Sequence, residues 1–220
     1  MSSAIYRSGL RRFVLIAIFW LGALLFLLVN PRIAAGESGV RLTRALVMVV
    51  GVDPQAGVVA VMEKLALQND GSTPYQPPRW QDSALRLAIP ARASGVALES
   101  GPPGAELLPL GSGVYTLAAP LPPGESGLVI SYALPYQEGA RSLRVERGAS
   151  MPAESLQVLA LVSQGIELRP IGRSLGAASE TSIGDKRYAL LDGKNLAAGA
   201  DTSFEVRGLP ARTAAGAAGA

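Results

Sequence analysis

The chain has 220 residues and a formal net charge of +3, and it contains neither cysteine nor histidine. Their absence excludes disulfides, thiolate zinc sites, covalent haem, cysteine nucleophiles, histidine triads and imidazole metal ligation. The positive charge is confined to residues 1–36, which carry four Arg and no acid; the remainder has sixteen Lys plus Arg against seventeen Asp plus Glu, and so no basic surface for nucleic acid is implied.

The first element is the apolar run FVLIAIFWLGALLFLLV, residues 13–29, without charge or proline. Its thirteen Leu, Ile, Phe and Val residues sum to about −4 to −8 kcal/mol on an insertion scale, which favours lipid over water. At about 1.5 Å per residue the run is roughly 25 Å long, close to the hydrocarbon thickness of a bilayer. The run predicts a transmembrane helix over residues 13–30, with Arg7, Arg11 and Arg12 before it and only Arg32 close behind. That bias places residues 1–12 in the cytoplasm and the main domain outside. A cleaved secretory signal is the alternative, with Ala34, Ala35 and Gly36 near the cut. Gly22 and Ala23 are small residues in mid-helix and form a candidate site for close helix approach. Pro31 stops the helix, and residues 31–39 form a short linker that keeps the domain near the membrane.

Residues 40–52 are apolar and β-branched toward their end, which suits a first strand or a segment leaving the membrane surface. Asp53-Pro54-Gln55-Ala56-Gly57 reads as a turn. Residues 58–69 alternate, with Val59, Val61, Leu65 and Leu67 on one face and Glu63 intruding among them. Residues 73–82 carry three prolines, so they form a loop rather than a central strand, and they present Tyr75 and Trp80. Leu85, Leu87 and Ile89 alternate before Pro90; short strands are predicted over 95–99 and 114–117, with a turn at 101–104. The clearest alternation is Leu128, Ile130, Tyr132 and Leu134, ended by Pro135. Leu143 and Val145 alternate within 141–147, and residues 156–162 are apolar on both faces, as in a strand covered on both sides. Strands over 166–169, 186–191 and 203–209 complete the set, with Asp192-Gly193 and Ala198-Gly199 read as turns.

About eight to ten short strands separated by Gly and Pro signals predict a mainly β domain over residues 40–210, an antiparallel β-sandwich of immunoglobulin-like form, with a small barrel as the alternative. Residues 211–220, ARTAAGAAGA, carry no large side chain after Arg212 and form an Ala/Gly-rich tail expected to be flexible.

Three stretches, VVAVMEKLALQNDGSTPY (58–75), LPPGESGLVISYALPY (121–136) and NLAAGADTSFEVRGLP (195–210), carry a resemblance. Together they resemble the extracytoplasmic β-sandwich domain of poorly characterised bacterial membrane-anchored proteins. The resemblance implies a fold and a location, with the main domain at the periplasmic face of a bacterial inner membrane, and supplies no catalytic residue. In the proteins that this chain resembles, the closing Leu-Pro is often followed by a further membrane segment; here Leu209-Pro210 is followed by the Ala/Gly-rich tail, a departure from that pattern.

Glu63 on an apolar face admits three readings: a functional acid with a raised pKa, a partner for an Arg, or a residue turned outward by a bulge. No second carboxylate is placed beside it, so a glycosidase pair cannot be argued. Asn69-Asp70-Gly71 and Asp192-Gly193-Lys194-Asn195 offer oxygens but lack the acidic spacing of a calcium loop, and read as turns. Ser126 and Ser131 have no histidine base and no Ser-x-x-Lys arrangement. No metal, cofactor or catalytic set is therefore expected. The expected role is a non-catalytic accessory or scaffolding subunit of an integral membrane protein complex, of the kind found in photosynthetic or respiratory assemblies. It would be tethered through the bilayer by residues 13–30. The alternative is a sugar- or envelope-binding module in which Tyr75 and Trp80 supply aromatic anchors.

Overall fold

A computed structural model describes residues 39–211. The expected membrane helix over 13–30, its Gly22 and Ala23, the cytoplasmic segment and the tail beyond residue 211 lie outside the described residues. Among the described residues no helix is long and apolar enough to cross a membrane.

The described chain is mainly β. In order, the strands are β1 (Val40–Asp53), β2 (Val58–Asn69), β3 (Leu87–Ala88), β4 (Ser94–Ser100), β5 (Leu107–Gly111), β6 (Val114–Leu117) and β7 (Gly124–Pro135). They continue as β8 (Ser142–Val145), β9 (Ala153–Leu161), β10 (Glu167–Pro170), β11 (Ser179–Ile183), β12 (Lys186–Leu196) and β13 (Phe204–Arg207). They form a seven-stranded sheet, β11-β12-β9-β1-β2-β7-β4, and two three-stranded sheets, β10-β13-β8 and β3-β6-β5. All three sheets feed one apolar core, with Val47, Val59 and Ile130 from the large sheet, Phe204 and Val206 from one small sheet and Leu87 and Leu117 from the other.

The hairpin of β1 and β2 follows from its turn chemistry. Asp53 Oδ1 accepts the amides of Gln55 and Ala56 at 2.8 and 2.9 Å, and Gly57, at φ +67°, returns its amide to the Asp53 carbonyl at 2.8 Å. The segment after the linker is thus a strand. β2 then pairs with β7 without interruption from Val58↔Pro135 to Asn69↔Gly124. The two clearest alternations of the sequence lie side by side, and their apolar faces turn to the same core.

Three features depart from the sequence reading. β1 pairs with β9 in parallel, so the large sheet is mixed rather than purely antiparallel. β9 is central, as its two-sided apolar pattern requires: Leu156, Val158 and Ala160 join the core. Leu159 is buried on the opposite face beside Met48 and Leu190. Asp192-Gly193 is no turn, since β12 runs through it to Leu196. Gly193 is needed there because a Cβ would lie 2.7 Å from the Ser174 carbonyl oxygen. Finally, Leu85, Leu87 and Ile89 are all buried as the alternation implies, but only Leu87–Ala88 is strand.

Candidate functional site

The loop that presents the two aromatic residues is held down from several directions. Tyr75 and Leu121 exchange backbone hydrogen bonds at 2.8 and 3.0 Å. The Tyr75 hydroxyl accepts the Ala84 amide at 2.9 Å and lies 3.3 Å from Ser83 Oγ, while the ring packs against the core. Asn69 is buried beneath the loop, donating from Nδ2 to the carbonyls of Thr73 and Leu121, both at 3.0 Å, and accepting the Gly71 amide at 2.9 Å. Asp70 is occupied by Arg41 at 2.8 Å. Trp80 opens a short 3-10 turn, Trp80–Asp82, and is half-buried. Tyr75 therefore serves as a clasp on its own loop, while Trp80 keeps part of its ring in solvent.

Glu63 is settled by its neighbours. β2 runs through it without a bulge, so the carboxylate stays on the core face and is 1% exposed. Arg147, just beyond β8, meets it at 2.8 Å from Nη2 to Oε2 and at 3.4 Å from Nη1 to Oε1. The Tyr132 hydroxyl on β7 donates to Oε1 at 2.6 Å. Tyr132 faces Val61 in register, which makes it the diagonal neighbour of Glu63 on one sheet face. Desolvation by burial, and then the Glu63 charge, hold the Tyr132 hydroxyl well above its usual pKa. Of the three readings open to Glu63, the structure shows the arginine partner: a buried carboxylate that accepts from a guanidinium and a phenol. Arg147 Nε is buried with no hydrogen-bond partner. Beside the network is a cavity of about 30 Å³ lined by Glu63, Arg147, Ile89 and Ile130.

Arg147 also borders a larger feature that the sequence did not signal. An open cleft of about 490 Å³ lies between the two small sheets. One wall is the β8 segment with Arg144 and Glu146; the other is the turn after Ile89, with Arg92, and the tight β5–β6 connection at Gly113. Gly113 has φ +77°, and a Cβ there would lie 2.4 Å from the Ile89 carbonyl oxygen, so this wall can close only with glycine. Asp201, at the rim, accepts the Ser203 amide at 3.0 Å. Its pKa is lowered first by hydrogen bonding to Ser203, with the Arg144 charge a smaller contribution. No local motif marks this cleft, because its walls come from residues 89–92, 112–114 and 143–148. Among the described residues no group of three or more acidic side chains could hold a metal ion.

No family model matches this chain, and no curated protein matches it in sequence. Among solved structures, an M1 zinc metallopeptidase from Deinococcus radiodurans bound to a Tyr-Ser-Ala substrate is similar at TM-score 0.40 and 14% identity, over 78% of this chain and 43% of that one. A Legionella pneumophila protein described as nutrient-binding is similar at TM-score 0.42 and 11% identity, over 78% of this chain and 68% of that one. The chain thus spans less than half of the peptidase. Neither similarity carries an argument about what this protein does.

Proposed function

We propose that this protein is a non-catalytic, membrane-anchored accessory subunit that braces the periplasmic face of an integral membrane complex of the photosynthetic or respiratory kind. The observation that carries the reading is the apolar run at residues 13–29 with Arg7, Arg11 and Arg12 on one side, joined to a β domain whose deeply buried charges are spent on one another. The Glu63, Arg147 and Tyr132 network lies in the core with the carboxylate and the guanidinium committed to one another, so its first role is to hold strands together. In this reading the domain is an immunoglobulin-like sandwich only in the architectural sense, with the large sheet as one layer and the two small sheets as the other. It belongs with the membrane-anchored extracytoplasmic domains that it resembles. The helix over 13–30 tethers it in the bacterial inner membrane, and Gly22 and Ala23 let that helix pack on its host. Tethering raises the effective concentration of the domain at the host's outer face, so weak contacts there suffice.

The aromatic-platform reading is less well supported. Tyr75 has committed its hydroxyl and its ring internally, and only Trp80 remains for a sugar.

Mild-detergent extraction followed by native electrophoresis and mass spectrometry tests the proposal. The full chain is expected to migrate with a larger assembly, while residues 40–210 alone are expected to be a folded monomer that does not co-purify. Migration of the intact protein solely as a monomer would overturn the reading. Replacing residues 13–29 with an unrelated anchor isolates the helix contribution: unchanged co-purification would remove Gly22 and Ala23 from the interface.

A further inference from the structure

Six strands end the three sheets, and five of them have edges that discourage a newcomer. β4 is broken by register shifts at Ser94/Ala97 and Leu98/Ser100. β5 contains Pro109 and a further shift, β10 ends on Pro170, and β3 has two residues. β11 is regular but exposed along nearly its whole length; only its first residues, Ser179 and Glu180, border a cleft, of about 480 Å³ against β10, and the charged side chains lining that cleft, Glu167 and Glu180, are both acidic. β8 combines an unbroken, proline-free edge with a facing wall along most of its length, since Leu143, Arg144 and Val145 all line the larger cleft. Breaks, prolines and short length are the usual means of blunting an edge.

The open edge of β8 also has a defined chemistry. The Arg147 carbonyl accepts the Thr202 amide at 3.0 Å in continuation of the β8–β13 register. Since backbone groups of an antiparallel ladder alternate between its two sides, Leu143 and Val145 bond to β13, and Arg144 and Glu146 turn their N–H and C=O groups away from it. Among the described residues no other segment bonds to those groups. Between the two walls the cleft is lined in part by apolar side chains, Ala88, Ala91, Val114 and Pro135 among them. At the rim, Arg144 is paired with Glu146 at 3.5 Å and Asp201 is held by the Ser203 amide, whereas Arg92 makes no ion pair among the described residues.

We propose that this cleft takes an extended, acidic segment of a partner protein as an added strand on the open edge of β8. Backbone groups of the partner satisfy Arg144 and Glu146, its inward side chains meet the apolar part of the lining, and an outward carboxylate meets Arg92. Strand addition of this kind gains affinity from main-chain hydrogen bonds and specificity from alternate side chains. The proposal rests on the accessory-subunit reading, since it states the form in which the host presents itself.

The test uses the full chain in detergent and a fluorescent peptide of about eight residues alternating valine and glutamate, followed by anisotropy. Binding is expected, and it should weaken by about tenfold when alternate peptide amides are methylated and by about fivefold in Arg92→Glu. Hydrogen exchange over residues 142–147 should slow when the peptide is added. Arg144→Pro removes an open-edge donor without touching the β13 ladder, and should abolish binding; Arg92→Glu carries the test if that variant fails to fold. No binding at millimolar peptide, equal binding of the methylated peptide, or unchanged exchange over 142–147 would each overturn the proposal. Peptide binding without co-purification of any membrane complex would fail the accessory reading while leaving the cleft assignment standing. Co-purification undiminished in Arg92→Glu and Arg144→Pro would do the reverse.

Discussion

Two ion-paired clusters in this domain share their chemistry and differ in their surroundings. Glu63 and Arg147 meet inside the core, their side chains 2% and 9% exposed. Arg41 contacts Asp70 and Glu154 on the surface, all three side chains about half exposed. In water the surface charges are nearly as well solvated apart as together, so their pairing adds little. Inside, neither charge has water to return to, and each depends on the other. The inner pair therefore constrains where β2, β7 and the end of β8 can sit, and the outer cluster does not. Changing each cluster in turn measures this difference.

The largest effect is expected from Glu63→Ala. It leaves a guanidinium buried without its counter-charge, which should cost about 3–5 kcal/mol in denaturant unfolding. The double change Glu63→Leu with Arg147→Met removes both charges and should cost less than Glu63→Ala alone, because no charge is left buried without its partner, while the Tyr132 hydroxyl loses its acceptor in both variants. A double variant whose cost equals the sum of the two single changes would show that the charges act independently, contrary to the geometry.

The next effect concerns the third member of the inner network. Tyr132→Phe deletes a hydrogen bond to a charged acceptor and should cost about 1.5–3 kcal/mol near neutral pH. It should also alter the alkaline limb of the stability curve. The folded-state pKa of Tyr132 is raised above the ordinary value of 10.0, so in the folded protein the hydroxyl stays protonated where the unfolded chain begins to ionise. The stability from that shift is complete below about pH 10 and is lost as pH rises toward the folded-state pKa. Wild-type stability should then fall more steeply above pH 10 than that of Tyr132→Phe. Parallel slopes for the two proteins would show that the Tyr132 hydroxyl is not held protonated by its buried surroundings in the folded state.

The inner cluster also shows what the sequence could and could not make legible. Glu63 was visible as a misfit, since alternation is local and a carboxylate on an apolar face stands out within five residues. Its partner was not, because Arg147 lies 84 residues further along. Finding it requires knowing that β2 pairs with β7 and that β8 lies across the core. The same limit applies to the turns. Gly193 follows Asp192 as in a tight turn, yet its lack of a side chain serves the approach of Ser174, a contact no short-range pattern can reveal. β5 has no clear sequence signal because it contains Pro109, which is tolerated there only because β5 is an edge. β11 has no alternation to reveal it, since SETSI offers a single large apolar residue, Ile183, and that residue is exposed. The cleft was invisible for the first of these reasons, since three separate segments contribute its walls.

The smallest effect should come from the outer cluster. Arg41→Ala removes both contacts of the guanidinium, to Asp70 and to Glu154. Because these groups are solvated, the expected cost is only about 0.2–1 kcal/mol at low salt, and it should vanish near 1 M salt, where the screening length is about 3 Å. The inner pair should respond much less to the same salt, since counterions cannot reach it. Measuring Arg41→Ala and Glu63→Ala across one salt series therefore separates the two settings: the first difference from wild type should shrink to nothing while the second persists. If the cost of Arg41→Ala survives high salt, the Arg41 cluster is fastening β1 to the Asn69 loop and β9 as firmly as Arg147 fastens the core. In that case the contrast between surface and interior drawn from exposure would be wrong for this protein.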